Sequence, residues 1–393
     1  MHLTFICPRY LTNHAGGAET HCRLVAEKIA LRGHSVELLA TCAVNPFTWA
    51  NEVSPRSFQS GGITVRLFLA NPRKDPETFH RLEQKIAADE QLSPEEEKIW
   101  VDNSLNSDAL YEHVRQTKAQ TDYFIFMPYL FGLTINGSKI VPEKTALIPC
   151  LHSENFSKLQ CVRELFQSVS KLLFNAPPEW DLAKKLYAIP DFKSFLVSLG
   201  FDLPHPPPDP ERFRKKYGVT RPFLIFGGRR ESGKNFDLLL EMLRLFQKAY
   251  PGKIQFVTFG SGSVHLESSD SGNVLDLGFI PEEDKKDAYA AALLNCQPSR
   301  NESLSIVVME AWLCGTPVLV NRRCDVTSYW VNLCQGGFVF SDYFDFEQTL
   351  VYALNHPKEL QEMAENGRYF VQHNFHWNTI LDRLQNALEN GRE

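Results

Sequence analysis

Short apolar runs and helical patterns alternate over the first part of the chain. Residues 3–7 form an apolar run of strand length, and residues 18–30 carry apolar side chains at helical spacing. Residues 35–41 and 64–70 are predicted as two further strands. Strands that alternate with helices predict a parallel sheet with helices packed on both faces.

Residues 73–119 interrupt this alternation. The segment is charged, has Phe79, Leu82 and Ile86 at helical spacing, and carries the acidic run 95–97. We interpret it as a helical insertion exposed to solvent rather than as a membrane-docking helix, because its excess of acidic residues would be repelled by anionic lipid.

A proline-rich stretch divides the chain. Strands are predicted before it at 122–127, 144–151, 171–175 and 194–199. Residues 204–210 contain five prolines, which exclude a helix interior and a central strand. We therefore expect an N-terminal domain over residues 1–203 and a linker at 204–210.

The strand–helix alternation begins again after the linker. Strands are predicted at 222–226, 254–259, 274–277 and 317–321, and helices at 235–249, 284–294 and 303–314. This pattern predicts a second Rossmann-like domain over residues 211–375. The last segment, 376–393, is predicted as a helix with one apolar face, and we expect it to cross back to the N-terminal domain.

Length, charge and cysteine content narrow the class of protein. A chain of 393 residues exceeds what one hydrophobic core usually supports, and 43 % hydrophobic with 22 % charged residues is typical of a soluble globular protein. The formal net charge of -6 argues against a nucleic-acid partner. Nine cysteines without any C-x-x-C pair predict a reduced compartment, with neither a disulfide framework nor a zinc site.

The amino terminus lacks the basic region and the long apolar run of a signal peptide. No segment approaches the ~20 apolar residues that a membrane-spanning helix needs. We therefore expect a cytoplasmic protein, and this expectation leaves room for peripheral contact with the cytosolic face of the inner membrane.

Two glutamates with seven residues between them stand in the most informative stretch, residues 297–318. Glu302 lies in a predicted loop, and Glu310 lies in a nearly all-apolar helix, where a carboxylate is costly unless it is paired or faces a ligand. The predicted helix start near Ser303 offers unpaired backbone N–H groups that suit an anion. Taken alone, Glu310 fits a structural network as well as a ligand site.

Basic residues follow the first predicted strand of the second half. The loop at 227–235 contains Arg229, Arg230 and Lys234 among glycines. Ligands of open α/β sheets bind beyond the carboxyl ends of the strands, where cationic side chains can offset the charge of a diphosphate. Without further context, a basic pair in a glycine-rich loop is more often a solvated turn.

Three weaker signals accompany these two. Gly16 and Gly17 open a helix after the first strand, where glycine lets the backbone approach a phosphate. His152 follows an apolar strand, although a lone histidine is usually structural. Phe279 and Ile280 follow a glycine turn in the second half.

In their order along the chain, these elements resemble the group 1 glycosyltransferases, the retaining enzymes of glycosyltransferase family 4. Residues 298–317 resemble the Glu-x7-Glu signature of that family, including its trailing Gly-Thr-Pro, and residues 226–235 resemble its basic loop. Residues 16–19 resemble its Gly-Gly-Ala-Glu loop. The resemblance extends from residue 16 to about residue 340. One departure is Ser303-Leu304-Ser305, where the family commonly has proline first and glycine last.

The resemblance implies an α/β fold of the GT-B type, with two Rossmann-like, doubly wound domains facing each other across a cleft. It implies catalytic roles for His152, Arg229, Lys234 and Glu302, and donor binding by Gly16, Gly17, Arg229, Lys234, Phe279, Ile280, Glu302, Ser303, Leu304, Ser305 and Glu310. Glu302 would lie by the donor sugar and phosphates, and Glu310 would accept hydrogen bonds from the ribose. His152 would face the sugar, and the family spacing selects Arg229 over Arg230.

The implied activity is transfer of a sugar from a UDP- or GDP-type nucleotide sugar to a saccharide or lipid-linked acceptor, in cell-envelope or extracellular polysaccharide synthesis. No cofactor and no metal are expected, because no Asp-x-Asp occurs in the chain. A sugar-nucleotide epimerase and a non-catalytic nucleotide-sugar-binding homologue remain alternatives. An NAD-dependent dehydrogenase is disfavoured, because no G-x-G-x-x-G fingerprint follows the first strand.

Overall fold

The computed structural model describes residues 1–11 and 16–390, which form two compact units. The first unit comprises Met1–Gly200 and the residues from Trp377 onward, and the second comprises Phe201–His376. The predicted fold class, α/β with two domains, is thereby confirmed. No helix within the described ranges is long and apolar enough to cross a membrane.

The boundary between the units falls at Gly200, slightly before the predicted end at residue 203. A side chain at Gly200 would overlap the ring of Trp377, which belongs to the same unit. Phe201 instead donates its N–H to the carbonyl of Phe375 at 2.8 Å, inside the second unit. The proline-rich stretch therefore begins within the second unit, and Pro210 already opens a helix.

The first unit is built on an eight-stranded sheet. Its strands are β1 (His2–Arg9), β2 (Ser35–Thr41), β3 (Arg56–Ser60), β4 (Ile63–Phe68), β5 (Tyr123–Phe126), β6 (Thr145–Leu147), β7 (Lys171–Phe174) and β8 (Ser194–Leu196). Their order is β3-β4-β2-β1-β5-β6-β7-β8, and all neighbours are parallel except β3 and β4. The central strands β1 and β5 are buried along nearly their whole length because both faces of the sheet are covered.

Within residues 1–11 and 16–200, seven α-helices accompany this sheet. They are α1 (Gly17–Ala30), α2 (Pro76–Ala87), α3 (Pro94–Asn103), α4 (Asp108–Thr117), α5 (Gly132–Ser138), α6 (Gln160–Ser168) and α7 (Pro177–Tyr187). The helices α2, α3 and α4 occupy the segment 73–119. Local sequence explains two of their starts: Asp75 caps α2, and Ser93 forms a reciprocal capping box with Glu96 at α3.

The second unit contains a six-stranded parallel sheet. Its strands are β9 (Phe223–Gly227), β10 (Gln255–Phe259), β11 (Val274–Asp276), β12 (Leu294–Gln297), β13 (Val318–Asn321) and β14 (Gly337–Phe340). Their order is β11-β10-β9-β12-β13-β14. Strand β12 begins at the residue where the predicted helix 284–294 was expected to end, because a short apolar run does not distinguish the two structures.

The described second unit contains seven α-helices: α8 (Pro210–Tyr217), α9 (Phe236–Ala249), α10 (Glu282–Ala291), α11 (Ile306–Leu313), α12 (Asp325–Cys334), α13 (Tyr343–Asn355) and α14 (Pro357–Asn374). The predicted start of α11 near Ser303 is wrong, because the helix begins at Ile306. Ser305 has a φ of 70°, which is incompatible with a helical residue and places it at the N-cap.

The last helix, α15 (Trp377–Glu389), belongs to the first unit. Its buried face includes Trp377, Ile380 and Leu384. Arg32, just after α1, forms an ion pair with Asp382 of α15 at 2.5 Å. The helix therefore combines an apolar face with a polar anchor on the same unit.

Candidate functional site

The strand order of the second sheet reverses between β9 and β12. Strands β10 and β11 follow β9 on one side, whereas β13 and β14 follow β12 on the other. The crevice outside the carboxyl ends of the strands at such a reversal is the usual ligand site of open α/β sheets. The loops 228–235 and 298–305 follow these two strands, so the two strongest sequence signals lie at the same point of the fold.

An ion pair joins the two loops. Lys234 Nζ lies 2.7 Å from Glu302 Oε1, and Gln297 Nε2 donates to the same oxygen at 2.8 Å. Only 10 % of the Glu302 side chain and 22 % of the Lys234 side chain are exposed. A carboxylate so far removed from water needs a cationic or hydrogen-bonding partner. The structure thus brings together two of the residues that the sequence singled out.

A second contact fixes the spacing of the same loops. Asn235 Nδ2 donates to the carbonyl of Pro298 at 3.0 Å, and Asn321 Nδ2 donates to that carbonyl at 3.0 Å as well. Asn235 itself has a φ of 53° and occupies the N-cap position of α9 without a side-chain capping hydrogen bond. Asparagine tolerates this left-handed conformation better than most residues. The end of the basic loop is therefore tied to the start of the glutamate loop.

The two neighbouring arginines have different environments. Arg230 is buried, donates to the carbonyls of Gly260 (2.7 Å) and Gly262 (3.1 Å), and forms an ion pair with Asp276. Arg229 is half-exposed, and its guanidinium lies 3.1 Å from Glu231. Arg230 therefore holds the loop after β10 in place. Arg229, Lys234 and Glu302 all lie in loops at the same edge of the second sheet. The fourth predicted catalytic residue, His152, belongs to the first unit.

Close backbone approach explains the glycines of this region. Gly228 and Gly260 have φ values of 142° and 128°, and a β-carbon on Gly260 would overlap the carbonyl oxygen of Gly228. Gly228 N donates to the carbonyl of Phe259 at 3.0 Å. Only glycine permits both the dihedral angles and the contact. The loops after β9 and β10 consequently pack directly on each other.

Ser305 stands where the family commonly has glycine, yet it adopts the left-handed conformation that glycine would supply. Its side chain makes no capping hydrogen bond to α11, and its buried Oγ has no hydrogen-bond partner within residues 1–11 and 16–390. Leu304 is buried, so only its backbone can meet a ligand, whereas Ser303 is half-buried. The predicted anion-binding helix start therefore lies at Ser305 and Ile306.

Glu310 of α11 is paired within the protein. Lys285 Nζ of α10 lies 2.7 Å from Glu310 Oε1 and 3.0 Å from Glu282 Oε2. Burial alone would lower the pKa of Lys285, but the two carboxylates outweigh burial and raise that pKa. Lys285 was not identified from the sequence, because Glu282 and Lys285 have the spacing of an ordinary pair on a helix surface.

Phe279 and Ile280 lie at the same edge of the second sheet. They follow Gly278, whose carbonyl accepts a hydrogen bond from Gly260 N at 2.7 Å. Phe279 is 52 % exposed, and Ile280 is half-buried. An exposed aromatic ring beside the strand ends offers a face on which a base can stack.

In the first unit, Gly16 is the N-cap of α1 and Gly17 is the first helical residue. The residues 12–15 that precede them lie outside the described part of the chain. A β-carbon on Gly16 would overlap the carboxylate of Glu19, which Arg9 holds at 2.6 Å. Arg9 and Glu19 are both buried. Arg9 was not identified from the sequence, because its pairing with Glu19 depends on the packing of α1 on β1.

His152 lies after β6 in the first unit, next to two residues that the sequence did not single out. His152 Nδ1 is 3.7 Å from Glu154 Oε1, and Tyr129 donates its hydroxyl to the same oxygen at 2.7 Å. Burial would raise the pKa of Glu154, but His152 and Tyr129 together lower it. The ionised carboxylate can orient the imidazole.

A buried carboxyl group supports the backbone beside His152. Glu179 of α7 accepts hydrogen bonds from the N–H groups of Leu151 and Asn175, each at 2.6 Å. Burial raises the pKa of Glu179 to about 8, although the backbone donors act in the opposite direction. Glu179 therefore ties together the segments that follow β6 and β7.

Solved structures identify the fold. Sucrose-phosphate synthase from Thermosynechococcus elongatus has a TM-score of 0.73 and 16 % identity, with 98 % of this chain and 97 % of that chain covered. Anabaena HepE in complex with UDP and glucose has a TM-score of 0.69 and 19 % identity, with 98 % of each chain covered. At these identities the likeness concerns the fold, and the GT-B class predicted from the sequence is confirmed.

The second unit matches a protein family. Residues 209–370 match the family model of the glycosyl transferases group 1. The matched segment covers most of the second unit and contains residues 226–235 and 298–317, which carry the resemblance found in the sequence.

Curated relatives match over part of their length. A GDP-mannose-dependent monoacylated alpha-(1-6)-phosphatidylinositol monomannoside mannosyltransferase of Corynebacterium glutamicum is 28 % identical over 204 residues, which are 47 % of this chain and 52 % of the relative. The chain spans about half the length of the curated relatives that it matches first.

Proposed function

We propose that this chain is a retaining glycosyltransferase, which moves a hexosyl group from a UDP- or GDP-type sugar to a saccharide or lipid-linked acceptor. The observation that carries the proposal is the Lys234–Glu302 pair, which spans two loops at the reversal of strand order. A cation held there suits the diphosphate of a nucleotide sugar.

The chemistry requires charge stabilisation at the leaving group. The bond between the anomeric carbon and the β-phosphate oxygen breaks, and the electron pair stays with the nucleoside diphosphate. The acceptor hydroxyl attacks from the same face and passes its proton to the departing phosphate oxygen. Lys234, Arg229 and the N–H groups at the start of α11 are the groups of the second unit that would stabilise this charge. Glu302 holds Lys234 in position.

The remaining predicted residues would each contact a different part of the donor. Glu310, oriented by Lys285, would accept hydrogen bonds from the ribose, and Phe279 with Ile280 would contact the base. The backbone at Gly16, Gly17 and residues 303–305 would face the phosphates or the sugar. The family resemblance assigns His152 to the sugar, and the proximity of Glu154 is consistent with an oriented imidazole.

Two relatives guide the choice of donor and acceptor. The Corynebacterium glutamicum relative is named as GDP-mannose-dependent and as acting on a phosphatidylinositol monomannoside, and the Anabaena structure contains UDP and glucose. By analogy with these two proteins, we propose that this chain uses a UDP- or GDP-sugar donor and acts in cell-envelope or extracellular polysaccharide synthesis. The enzyme would act in the cytoplasm, with peripheral contact to the inner membrane for a lipid-linked acceptor.

A thermal-shift screen against UDP-, GDP-, ADP- and dTDP-sugars tests the donor class. A ligand at a hundredfold excess over its dissociation constant should stabilise the fold by ~2.7 kcal/mol. We expect one nucleoside diphosphate to act selectively. Stabilisation by NADH, with no response to any nucleotide sugar, would contradict the proposal.

Product analysis separates the transferase from its alternatives. A transferase releases the nucleoside diphosphate and, without acceptor, slowly hydrolyses the donor to a sugar of retained configuration. An epimerase converts the bound sugar without net release of the diphosphate, and a binding homologue leaves the donor intact. Proton NMR of the fresh products distinguishes these three outcomes.

A further inference from the structure

A cavity of about 270 Å³ lies in the first unit, lined by none of the residues assigned above. Three segments form its walls: residues 48–51 after β2, residues 71–73 after β4, and residues 103–105 at the end of α3. The first two segments follow the carboxyl ends of neighbouring parallel strands. This is the edge of an α/β sheet at which ligands bind.

Hydrogen bonds hold the walls in place without a ligand. Asn51 accepts from Ala70 N at 2.8 Å and donates to its carbonyl at 2.9 Å, so the first wall is fixed to the end of β4. Asn103 accepts from Asp75 N at 2.7 Å, and Ser104 accepts from Gly132 N at 2.6 Å. A cavity with walls ordered in advance loses little conformational entropy when a ligand enters.

Trp49 brings an aromatic surface to the cavity in a strained conformation. Its φ of 55° lies in the left-handed region, which costs a bulky residue on the order of 1–3 kcal/mol. Phe131 packs edge-on against the indole, with 5.0 Å between ring centroids. Asn45 fixes the turn that precedes Trp49, because its Oδ1 accepts from the N–H groups of Phe47 and Thr48. The indole is therefore placed rigidly.

Arg73 supplies an oriented cation. Its Nε donates to the carbonyl of Asn103 at 2.9 Å, and its guanidinium carbon lies 4.0 Å from the ring centroid of Phe79. Within the described ranges, its two terminal amino groups make no hydrogen bond. Burial raises the pKa of nearby Glu83, and the charge of Arg73 lowers it to a smaller extent. The two residues form no ion pair. The guanidinium therefore keeps donors in the fork geometry that matches carboxylate and phosphate groups.

We propose that this cavity binds an anionic saccharide unit, with the sugar ring against Trp49 and its phosphate or carboxylate on Arg73. The volume is slightly below the ~300–1,000 Å³ of pockets for drug-sized ligands, which suits one sugar ring. We take this saccharide to be part of the acceptor, and in this respect the inference rests on the proposed function.

Direct binding to the full chain, without donor, tests this inference. The probes are glucose 6-phosphate, glucuronate, glucose and inorganic phosphate, titrated by NMR. We expect an anionic sugar to bind at least about tenfold more tightly than glucose or phosphate alone, as a charge-assisted hydrogen-bond pair requires. The glucose 6-phosphate and glucuronate arms distinguish phosphate from carboxylate as the recognised group.

Variants locate the binding. Arg73→Gln should weaken binding of the anionic sugar by roughly tenfold or more, whereas Arg73→Lys should keep part of it because the charge remains. Lys74→Gln is the matched control, since Lys74 is the exposed neighbour and does not line the cavity. Melting curves confirm that each variant is folded. If Arg73→Gln does not fold, the affinities of Arg73→Lys and Lys74→Gln for the anionic sugar are compared instead. Weaker binding by Arg73→Lys supports the inference, and equal binding by the two variants overturns it.

The outcomes separate this inference from the proposed function. If a nucleotide sugar stabilises the protein but no anionic sugar binds, or if binding is equal in Arg73→Gln and the parent, the inference is wrong and the transferase proposal stands. Equal affinity for inorganic phosphate and glucose 6-phosphate also overturns it. If an anionic sugar binds through Arg73 and no nucleotide sugar binds, the inference holds and the transferase proposal fails.

Discussion

Lys285 of α10 and Glu310 of α11 form an ion pair, with 2.7 Å between Nζ and Oε1. From the sequence, Glu310 is an isolated carboxylate in an apolar helix, compatible with a structural or a ligand-binding role. The pair satisfies one oxygen, while a quarter of the Glu310 side chain stays exposed. The other oxygen has no partner in the described part of the chain. Glu310 can therefore be held by the protein and still accept hydrogen bonds from a ligand.

Glu310→Gln should weaken binding of the nucleoside diphosphate. Loss of a charge-assisted hydrogen bond to the ribose costs roughly 1.5–3 kcal/mol, or about ten- to hundredfold in the dissociation constant. Glutamine keeps the size of the side chain and leaves Lys285 paired with Glu282. Calorimetry with UDP and GDP measures the change, and Glu241→Gln, exposed on α9, is the control. Unchanged affinity in folded Glu310→Gln would leave Glu310 with a structural role alone.

Lys234→Ala should slow turnover more than it weakens donor binding. The ammonium acts on charge that develops as the diphosphate leaves, and removing one such group typically costs about 10²–10³-fold in kcat. Donor hydrolysis and transfer rates measure the loss. Lys253→Ala, at an exposed position of the same unit, should retain parental rates. Equal turnover in Lys234→Ala and Lys253→Ala would mean that the Lys234–Glu302 pair is structural only.

Turnover should not require a divalent metal. Lys234 and Arg229 are cations on the loop after β9, where they can neutralise the leaving diphosphate. Rates measured on metal-stripped protein with excess EDTA should match those with added magnesium or manganese. A large loss that either metal restores would refute metal independence. The double variant Arg229→Ala with Lys234→Ala should be inactive whether or not metal is supplied.

The meeting of Lys234 with Glu302 was predictable only in part. Lys234 follows the predicted apolar strand 222–226, and the carboxyl ends of parallel strands share one edge of the sheet. The pattern therefore predicts the edge that Lys234 occupies. Strand β12, which precedes Glu302, contains Asn295 and Gln297 and was not predicted. The pattern does not predict strand order, so it could not indicate that β9 and β12 are neighbours and that these two side chains form an ion pair. The pattern also does not indicate that Arg229, in the same loop, forms an ion pair with Glu231.

The elements that escaped prediction are determined by strand pairing, backbone conformation and packing rather than by the hydrophobic pattern. Strand β3 is largely exposed and polar apart from Phe58, so it lacks the alternation that marks a half-buried strand, and it forms by pairing with β4. The start of α11 is displaced to Ile306 by the backbone of Ser305. Lys285, Glu154 and Arg9 gain Glu310, Tyr129 and Glu19 as partners only when separate segments pack together.

His152→Ala should lower kcat while the dissociation constant of the donor changes little. Glu154, itself bonded to Tyr129, lies beside the imidazole and can fix its orientation, as expected for a group that acts on the reacting sugar. A loss of roughly 10²-fold is typical when one transition-state contact is removed. Steady-state rates measure the change in kcat, and calorimetry measures the change in the dissociation constant of the donor. His80→Ala, exposed on α2, is the control, and equal activity of both variants would make His152 structural.

Glu179 should make the stability of the chain depend on pH. Its pKa rises from an ordinary value of 4.5 to about 8 because the side chain is buried. Between these values the unfolded state has lost the proton and the folded state keeps it. The free energy of unfolding should therefore fall as pH rises from 4.5 to 8, by up to about 1.4 kcal/mol per pH unit from this group. The contribution is fully present below pH 4.5.

The variant Glu179→Gln isolates this contribution, because glutamine does not titrate. At pH 5 it should be less stable than the parent by about 1–2 kcal/mol, since one of the N–H groups of Leu151 and Asn175 loses its acceptor. As pH rises to 8 the parent loses stability from Glu179 and the variant does not, so the difference should shrink or change sign. Urea unfolding at pH 5, 6, 7 and 8 measures it, with Glu164→Gln on the exposed face of α6 as the control. A difference that stays constant, or grows with pH, would show that the backbone donors outweigh burial and that Glu179 is ionised in the folded protein.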